Sequence, residues 1–232
     1  MKNHLRIMFV VCVAALLGGL AVSQQAVAPP PKPVDNGPSL AAIMQFIQDK
    51  LKGQGQVAYV ISFSIQNNPG FSMVYRIRTT YEEVMADPGT CTLRDVGPVD
   101  QSIETYQGGE KLAAGTYDQH SQVSRTVAFK DVEKITVESL QDVMNRKFAE
   151  SGHPENIMTV APPVFVVGLL SSKPVFSIHV STTKDSEAPK VTDITDTETL
   201  FNFRDEDMAN RMAKAMVHAV ELCGGGSKPE PF

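Results

Sequence analysis

The chain has 232 residues, of which 42% are hydrophobic and 20% are charged. Its 26 acidic residues outnumber its 21 basic residues, and the formal net charge is −5. A chain this acidic is repelled by phosphate backbones and by anionic lipid headgroups, which argues against a nucleic-acid partner.

The N-terminus has the pattern of a secretory signal. Lys2 and Arg6 precede an apolar run over residues 7–22, and residues 21–23 (Ala-Val-Ser) place small side chains at a cleavage site. We predict that residues 1–23 are removed, which takes the net charge from −5 to −7 because two cations and no acid are lost. The alternative is an uncleaved anchor, but the run is shorter than the roughly 20 apolar residues that a spanning helix needs. The sequence therefore predicts an exported protein, periplasmic or secreted, with no integral membrane segment after cleavage.

Two cysteines remain after cleavage, Cys91 and Cys223. In an oxidising compartment such a pair is more often bridged than free, so we predict a disulfide, with two buried thiols as the alternative. A bridge across so long a loop is worth roughly 4–5 kcal/mol in the chain-entropy model. Two cysteines without histidines at ligand spacing cannot form a structural zinc site.

Residues 24–38 are rich in proline and predict an extended, disordered leader before a single globular domain at residues 39–226. Ser39 can cap the first helix of that domain, and Gly53 can end it. The helix is amphipathic, with its apolar side chains at helical spacing: Leu40, Ile43, Met44, Ile47 and Leu51.

From residue 56 the apolar period changes to two. Residues 57–65 and 71–80 alternate on either side of a turn at residues 67–70, which predicts a β-hairpin. Residues 130–142 fit neither period and predict a strand that leads into an irregular or helical stretch. Further strands are expected at residues 81–85, 91–95, 102–107, 123–129, 157–159, 164–170, 175–181 and 197–203.

The last helix has the clearest signals. Asp205 is a natural N-cap, and residues 224–226 (Gly-Gly-Gly) end the helix. Residues 227–232 are expected to form a flexible tail. One apolar stripe runs along the helix: Met208, Met212, Ala215, Met216, Ala219 and Leu222.

This ending resembles the close of pleckstrin-homology-like (PH-like) domains, where a last strand passes through an acidic cap into a C-terminal helix. The resemblance rests on residues 201–209 (Phe-Asn-Phe-Arg-Asp-Glu-Asp-Met-Ala) and 215–225. It implies an α+β fold, an antiparallel β-sandwich or partly open barrel of about seven strands capped by that helix, here with an extra N-terminal helix. Phosphoinositide-binding members carry cations between the first two strands, whereas residues 66–70 here have none, so phosphoinositide binding is not expected. The signal and leader are similar to those of many uncharacterised exported bacterial proteins.

No sequence motif predicts a catalytic, cofactor-binding or metal-binding residue. The chain lacks the Gly-x-Ser-x-Gly, His-Glu-x-x-His and Gly-x-x-x-x-Gly-Lys patterns. The histidines left after cleavage stand at no metal-ligand spacing and are interpreted as structural or exposed: His120, His153, His179 and His218. The acidic stretch at residues 185–198 could offer oxygen ligands to calcium, but a solvated hairpin with an edge strand fits it better.

Three functions remain open at this stage. The first is a non-catalytic binding or scaffold domain that engages a protein or peptide partner through a groove beside the last helix or through a strand edge. The second is a carrier of a small apolar ligand. The third is an exported enzyme with an unrecognised site that uses scattered acids such as Glu82, Glu83 and Asp95.

Overall fold

A computed structural model describes residues 37–65, 68, 70–150, 156–184 and 187–226. These residues form three α-helices and eleven β-strands. The helices are α1 (Leu40–Gly53), α2 (Leu140–Glu150) and α3 (Glu206–Leu222). The strands are β1 (Val57–Ile65), β2 (Phe71–Thr79), β3 (Glu83–Asp87), β4 (Thr92–Gln107), β5 (Glu110–Ala128), β6 (Lys134–Ser139), β7 (Asn156–Ala161), β8 (Phe165–Leu170), β9 (Phe176–Lys184), β10 (Lys190–Asp196) and β11 (Glu198–Phe203).

Both terminal helices begin at the caps that the sequence predicts. Ala42 N–H donates to Ser39 Oγ at the start of α1, and Met208 N–H donates to Asp205 Oδ1 at the start of α3. Each cap satisfies one amide that the helix itself leaves without a partner. The predicted stripe of α1 is buried except for the half-buried Leu40. In α3 the predicted Met212, Met216 and Ala219 are buried, but Leu222 is 48% exposed, so the prediction was wrong at the end of that stripe.

The larger sheet is antiparallel and is ordered β10-β9-β5-β4-β2-β1-β7, with β3 paired to the first part of β4. Because side chains alternate along a strand, the sheet has two distinct faces. We call the face that carries Tyr59, Ile77, Leu93 and Val127 the inner face. These four side chains are buried or half-buried, whereas the opposite, outer face carries exposed side chains such as Arg78.

The smaller sheet is also antiparallel and is ordered β11-β8-β6. Successive side chains along its strands point alternately into two hydrophobic clusters. Val167 and Phe201 belong to the cluster that contains the buried stripes of α1 and α3. Val166 and Leu200 belong to a second cluster, with β1, β7 and α2.

A disulfide ties the last helix to the β3–β4 turn. The sulfur atoms of Cys91 and Cys223 lie 2.10 Å apart, and the two residues are separated by 132 positions in the chain. The predicted pairing is therefore present in the structure. Cys91 has a φ of 55°, in the left-handed region that residues other than glycine rarely occupy.

The α+β class, the antiparallel sheets and the C-terminal helix agree with the prediction. The predicted count of about seven strands was too low, because the described residues form eleven, and these strands close no barrel. The strands predicted at residues 91–95 and 102–107 are not separate, because residues 92–95 and 102–107 belong to the single 16-residue strand β4. The prediction at 123–129 captured only the end of the 19-residue strand β5. The stretch at 130–142 does lead from a strand, β6, into a helix, α2.

The predicted signal at residues 1–23, most of the predicted leader at 24–38 and the predicted tail at 227–232 lie outside the described residues. His153 and most of the cation-free loop at residues 66–70 also lie outside them. Among the described residues, every helix falls short of the length and apolarity that a bilayer-spanning segment requires.

Candidate functional site

An apolar groove lies between α2 and the inner face of the larger sheet. Tyr59, Ile61 and Phe63 project into it from β1, and Tyr75 and Ile77 project into it from the neighbouring strand β2. The alternation of side chains along a strand puts each of these sets on one face. The antiparallel register then sets Tyr59 opposite Ile77 and Ile61 opposite Tyr75, which makes one continuous wall.

Helix α2 forms the facing wall. Its start is capped by Ser139, whose Oγ accepts a hydrogen bond from Asp142 N–H at 3.1 Å and donates one to the Asp142 carboxylate at 2.6 Å. Leu140, Met144 and Phe148 follow at intervals of four residues, so they share one helix face. That face lines the groove.

Polar contacts on the other faces of α2 fix it in place. The side-chain amide of Gln141 donates to the Met158 carbonyl at 2.7 Å and accepts from Val160 N–H at 2.8 Å, in the manner of a neighbouring strand. Lys147 pairs with Glu198 of β11 at 2.6 Å. The Gln141 contacts also cover an edge of β7 that would otherwise be open to pairing.

The groove encloses about 510 Å³, and none of its ten lining residues carries a charge. The rings of Phe63 and Phe148 stack across it with their centroids 5.4 Å apart. Its polar atoms come from Tyr59, Tyr75 and Gln101. Burial, and to a smaller extent Tyr117, raises the pKa of Tyr75 above its ordinary value, so its phenol stays neutral at physiological pH.

A buried ion pair lies further along the same inner face. The Arg125 guanidinium donates to both Asp95 carboxylate oxygens, with Nη2 2.7 Å from Oδ1, and also donates to the Leu200 carbonyl. Burial alone would lower the pKa of Arg125, but the charge of Asp95 and its hydrogen bonds to the guanidinium outweigh burial and raise that pKa. Arg125 also lies over the Phe201 ring, 4.6 Å from its centroid.

The outer face of the larger sheet holds a shallower polar depression of about 450 Å³. Arg76, Arg78 and Asp100 line it together with His120, whose Nδ1 shares a hydrogen bond with Asp100. A second histidine on this face, His179, bonds to Asp193 at 2.7 Å. Because charges of both signs alternate on exposed side chains, this surface is typical of a solvated sheet face.

The acids proposed for an unrecognised enzyme do not converge. Asp95 is buried against Arg125, while Glu82 and Glu83 are exposed. In the acidic stretch, Asp193 bonds to His179 and Glu198 pairs with Lys147, so these two carboxylates point to different partners. Asp185 lies outside the described residues, and across the described ranges His, Cys, Asp and Glu form no group of three or more that could hold a metal ion.

The strand half of the groove was visible in the sequence, whereas the helix half was missed. The period-two pattern placed Tyr59, Ile61 and Phe63 on one side of a predicted strand. The repeat of Leu140, Met144 and Phe148 after Ser139 was also in the sequence, as a cap followed by apolar residues at intervals of four. A search for helix starts beyond residue 139 would have found it.

No protein-family model, no curated protein and no solved structure matches this chain. The functional argument therefore depends on the geometry of the groove and of its surroundings.

Proposed function

We propose that this domain is a non-catalytic carrier or sensor that works outside the cytoplasm and binds a small, neutral, apolar molecule in the groove between α2 and the larger sheet. The observation that carries the proposal is the chemistry of the lining. Aromatic and aliphatic side chains surround about 510 Å³, within the roughly 300–1,000 Å³ typical of small-molecule sites.

The lining also limits the ligand class. A charged ligand would lose its hydration without finding an ion partner among the ten lining residues, and that loss costs several kcal/mol. An apolar ligand would instead bury its own surface and cover Phe63, Tyr75 and Phe148, which are only half-buried. The proposal is therefore a neutral ligand with an aromatic or aliphatic body.

Export of the domain is supported by two independent features. The pattern of residues 1–23 is that of a cleavable secretory signal. The Cys91–Cys223 pair is of the kind that persists in oxidising compartments. The PH-like relationship stays a prediction, supported by the passage from β11 through the Asp205 cap into α3.

The test uses the purified exported chain and N-phenyl-1-naphthylamine, a neutral fluorophore that brightens in apolar surroundings. We expect saturable binding with one site per chain. Met144→Glu puts a carboxylate into the groove and should weaken binding at least about ten-fold, because that charge would lose its hydration. Ala149→Glu adds the same charge to an exposed position of the same helix and should leave binding unchanged.

Phe148→Ala is a second variant, which removes one stacked ring without adding a charge and should also weaken binding. Thermal unfolding of each variant shows whether the fold is retained. Absence of saturable fluorophore binding to the wild-type chain would overturn the proposal, as would folded Met144→Glu and Phe148→Ala chains that bind like wild type.

A protein or peptide partner remains a second candidate, and the strand β10 favours it. Among the described strands β10 pairs only with β9, and all seven of its residues are exposed, including Val191 and Ile194. A partner could add a strand there. Hydrogen exchange measured in envelope extract should then show new protection of β10 amides, whereas unchanged exchange would count against this candidate.

A further inference from the structure

A second cavity lies beside the apolar groove, and its lining is polar. It encloses about 170 Å³ between the inner face of the larger sheet and β11. Its lining residues come from both sheets: Tyr59, Thr79, Thr80, Asp95, Gly97, Val99, Val123, Arg125 and Asn202.

The register of the sheet shows that the groove and the polar cavity are neighbours. Ile77 and Gln101 are opposite each other and line the groove, while Thr79 and Val99 are the next opposed pair on the same face and line the cavity. Successive residues on one face of a strand are about 7 Å apart. Tyr59 lines both spaces and is the wall that they share.

The charges in the polar cavity neutralise each other. Asp95 and Arg125 are held together by three hydrogen bonds, between 2.7 and 3.2 Å, so neither charge is left for a ligand. An ionic head group placed here would meet both charges of the pair and gain no net counter-charge. Its lost hydration would therefore not be offset, which makes a carboxylate and an ammonium poor head groups.

The neutral groups of the cavity do have hydrogen-bonding capacity. Thr79 is 8% exposed, and its hydroxyl makes no hydrogen bond to any residue in the described part of the chain. Burial, followed by the nearby Tyr81, raises the pKa of Tyr59 to about 12 against a smaller lowering by the Asn202 side chain, so its phenol is protonated at physiological pH and can donate. These two hydroxyls can bind one neutral oxygen.

We propose that the ligand is a neutral amphiphile whose apolar body fills the groove and whose single hydroxyl or carbonyl oxygen reaches the polar cavity, where Thr79 and Tyr59 bind it. This inference rests on the proposed function, because it specifies the ligand of the same groove. It goes further in assigning the polar end of the ligand to a separate set of residues.

The test compares ligands that share a ten-carbon chain and differ in head group: 1-decanol, decanoate and decyltrimethylammonium at pH 7. Each one displaces N-phenyl-1-naphthylamine from the purified chain. We expect decanol to bind at least about ten-fold more tightly than either ion, because an ionic head would lose its hydration without gaining a net counter-charge in the cavity.

The variants at Thr79 isolate the head-group contact. Thr79→Val has nearly the same shape but no hydroxyl, and it should weaken decanol binding about five- to ten-fold while the fluorophore affinity stays the same. Thr79→Ser keeps the hydroxyl and should retain the affinity for decanol. Thr199→Val is the matched control, because Thr199 is also buried but lines neither space. It should bind decanol like wild type.

Tyr59→Phe removes the other hydroxyl of the proposed head-group site and tests the same contact if Thr79→Val does not fold. It should also weaken decanol binding. The two proposals fail in different ways. If the fluorophore does not bind at all, the proposed function is wrong. If the fluorophore binds but decanol is no better than the ions, or a folded chain without the Thr79 or Tyr59 hydroxyl binds decanol like wild type, the apolar carrier stands and the amphiphile inference is overturned.

Discussion

Breaking the ion pair between Asp95 and Arg125 should be one of the most damaging single changes to this fold. The two side chains are 3% and 14% exposed, respectively, and their closest atoms are 2.7 Å apart. Asp95→Asn removes the negative charge and leaves the guanidinium buried without a counter-charge. The expected loss of unfolding free energy is about 3–5 kcal/mol, a large part of the 5–15 kcal/mol typical of a whole domain.

Removing both charges should lower the unfolding free energy much less than Asp95→Asn does. The double variant Asp95→Leu with Arg125→Met replaces the pair with apolar side chains, and such replacements range from neutral to stabilising by 1–4 kcal/mol. The Leu200 carbonyl then loses its Arg125 donor, which costs roughly 1–3 kcal/mol. The double variant should therefore be clearly more stable than Asp95→Asn.

Urea unfolding followed by circular dichroism, with the disulfide intact, measures these differences. Arg76→Met is the control, because Arg76 pairs with Glu104 at 3.3 Å on the surface with more than half of its side chain exposed. Its loss should cost no more than about 1 kcal/mol. A loss of unfolding free energy below about 1 kcal/mol for Asp95→Asn, or a double variant less stable than Asp95→Asn, would refute the reasoning.

Three further changes have outcomes that follow from the structure. Replacing Cys91 and Cys223 together with Ala should lower the unfolding free energy by about 5 kcal/mol, the chain-entropy value for a loop of 132 residues, and reduction of the wild-type chain should give the same loss in urea unfolding. Gly97→Ala should lower the unfolding free energy by about 3 kcal/mol or more, because a Cβ at residue 97 would lie 1.8 Å from a backbone oxygen. Gly53→Ala is the control: a Cβ at residue 53 meets nothing within 4 Å, so this variant should not destabilise the helix. The pKa of Tyr59 is about 12 in the folded chain and 10.0 ordinarily. Its contribution to the unfolding free energy is therefore complete below pH 10. Between pH 10 and pH 12 that contribution falls by about 1.4 kcal/mol per pH unit, because the phenol ionises in the unfolded chain first. A stability-pH profile of Tyr59→Phe that falls as steeply as wild type over that interval would contradict this.

Local patterns were sufficient for the terminal helices and the first hairpin. Ser39 and Asp205 mark helix starts by a mechanism that acts within one turn, and their predicted bonds are present. The hairpin β1–β2 follows from alternation on both sides of a turn. Each of these signals lies within a few residues of the structure that it specifies.

Local patterns failed where long-range pairing overrides them. Gly97 and Pro98 interrupt the pattern of β4, and glycine and proline usually mark the end of a strand. The strand continues because β5 pairs with it through that point, Gly97 opposite Val123 and Pro98 opposite Gln122. Strand β10 was not among the strands expected from alternation. Its stretch was interpreted only as a solvated hairpin with an edge strand, without bounds. Its seven residues are all exposed, so no face alternates in burial.

The amino-acid sequence by itself determined the acidic balance, the signal pattern, the caps and the apolar face of each terminal helix, because these depend on composition or on neighbours within a turn. Only the tertiary structure decided that Asp95 meets Arg125 and that α2 lies over β1 and β2. It also decided that the polar cavity adjoins the groove. Those contacts join residues far apart in the chain, and their free energy comes from burial and pairing that exist only once the two sheets and the helices have packed together.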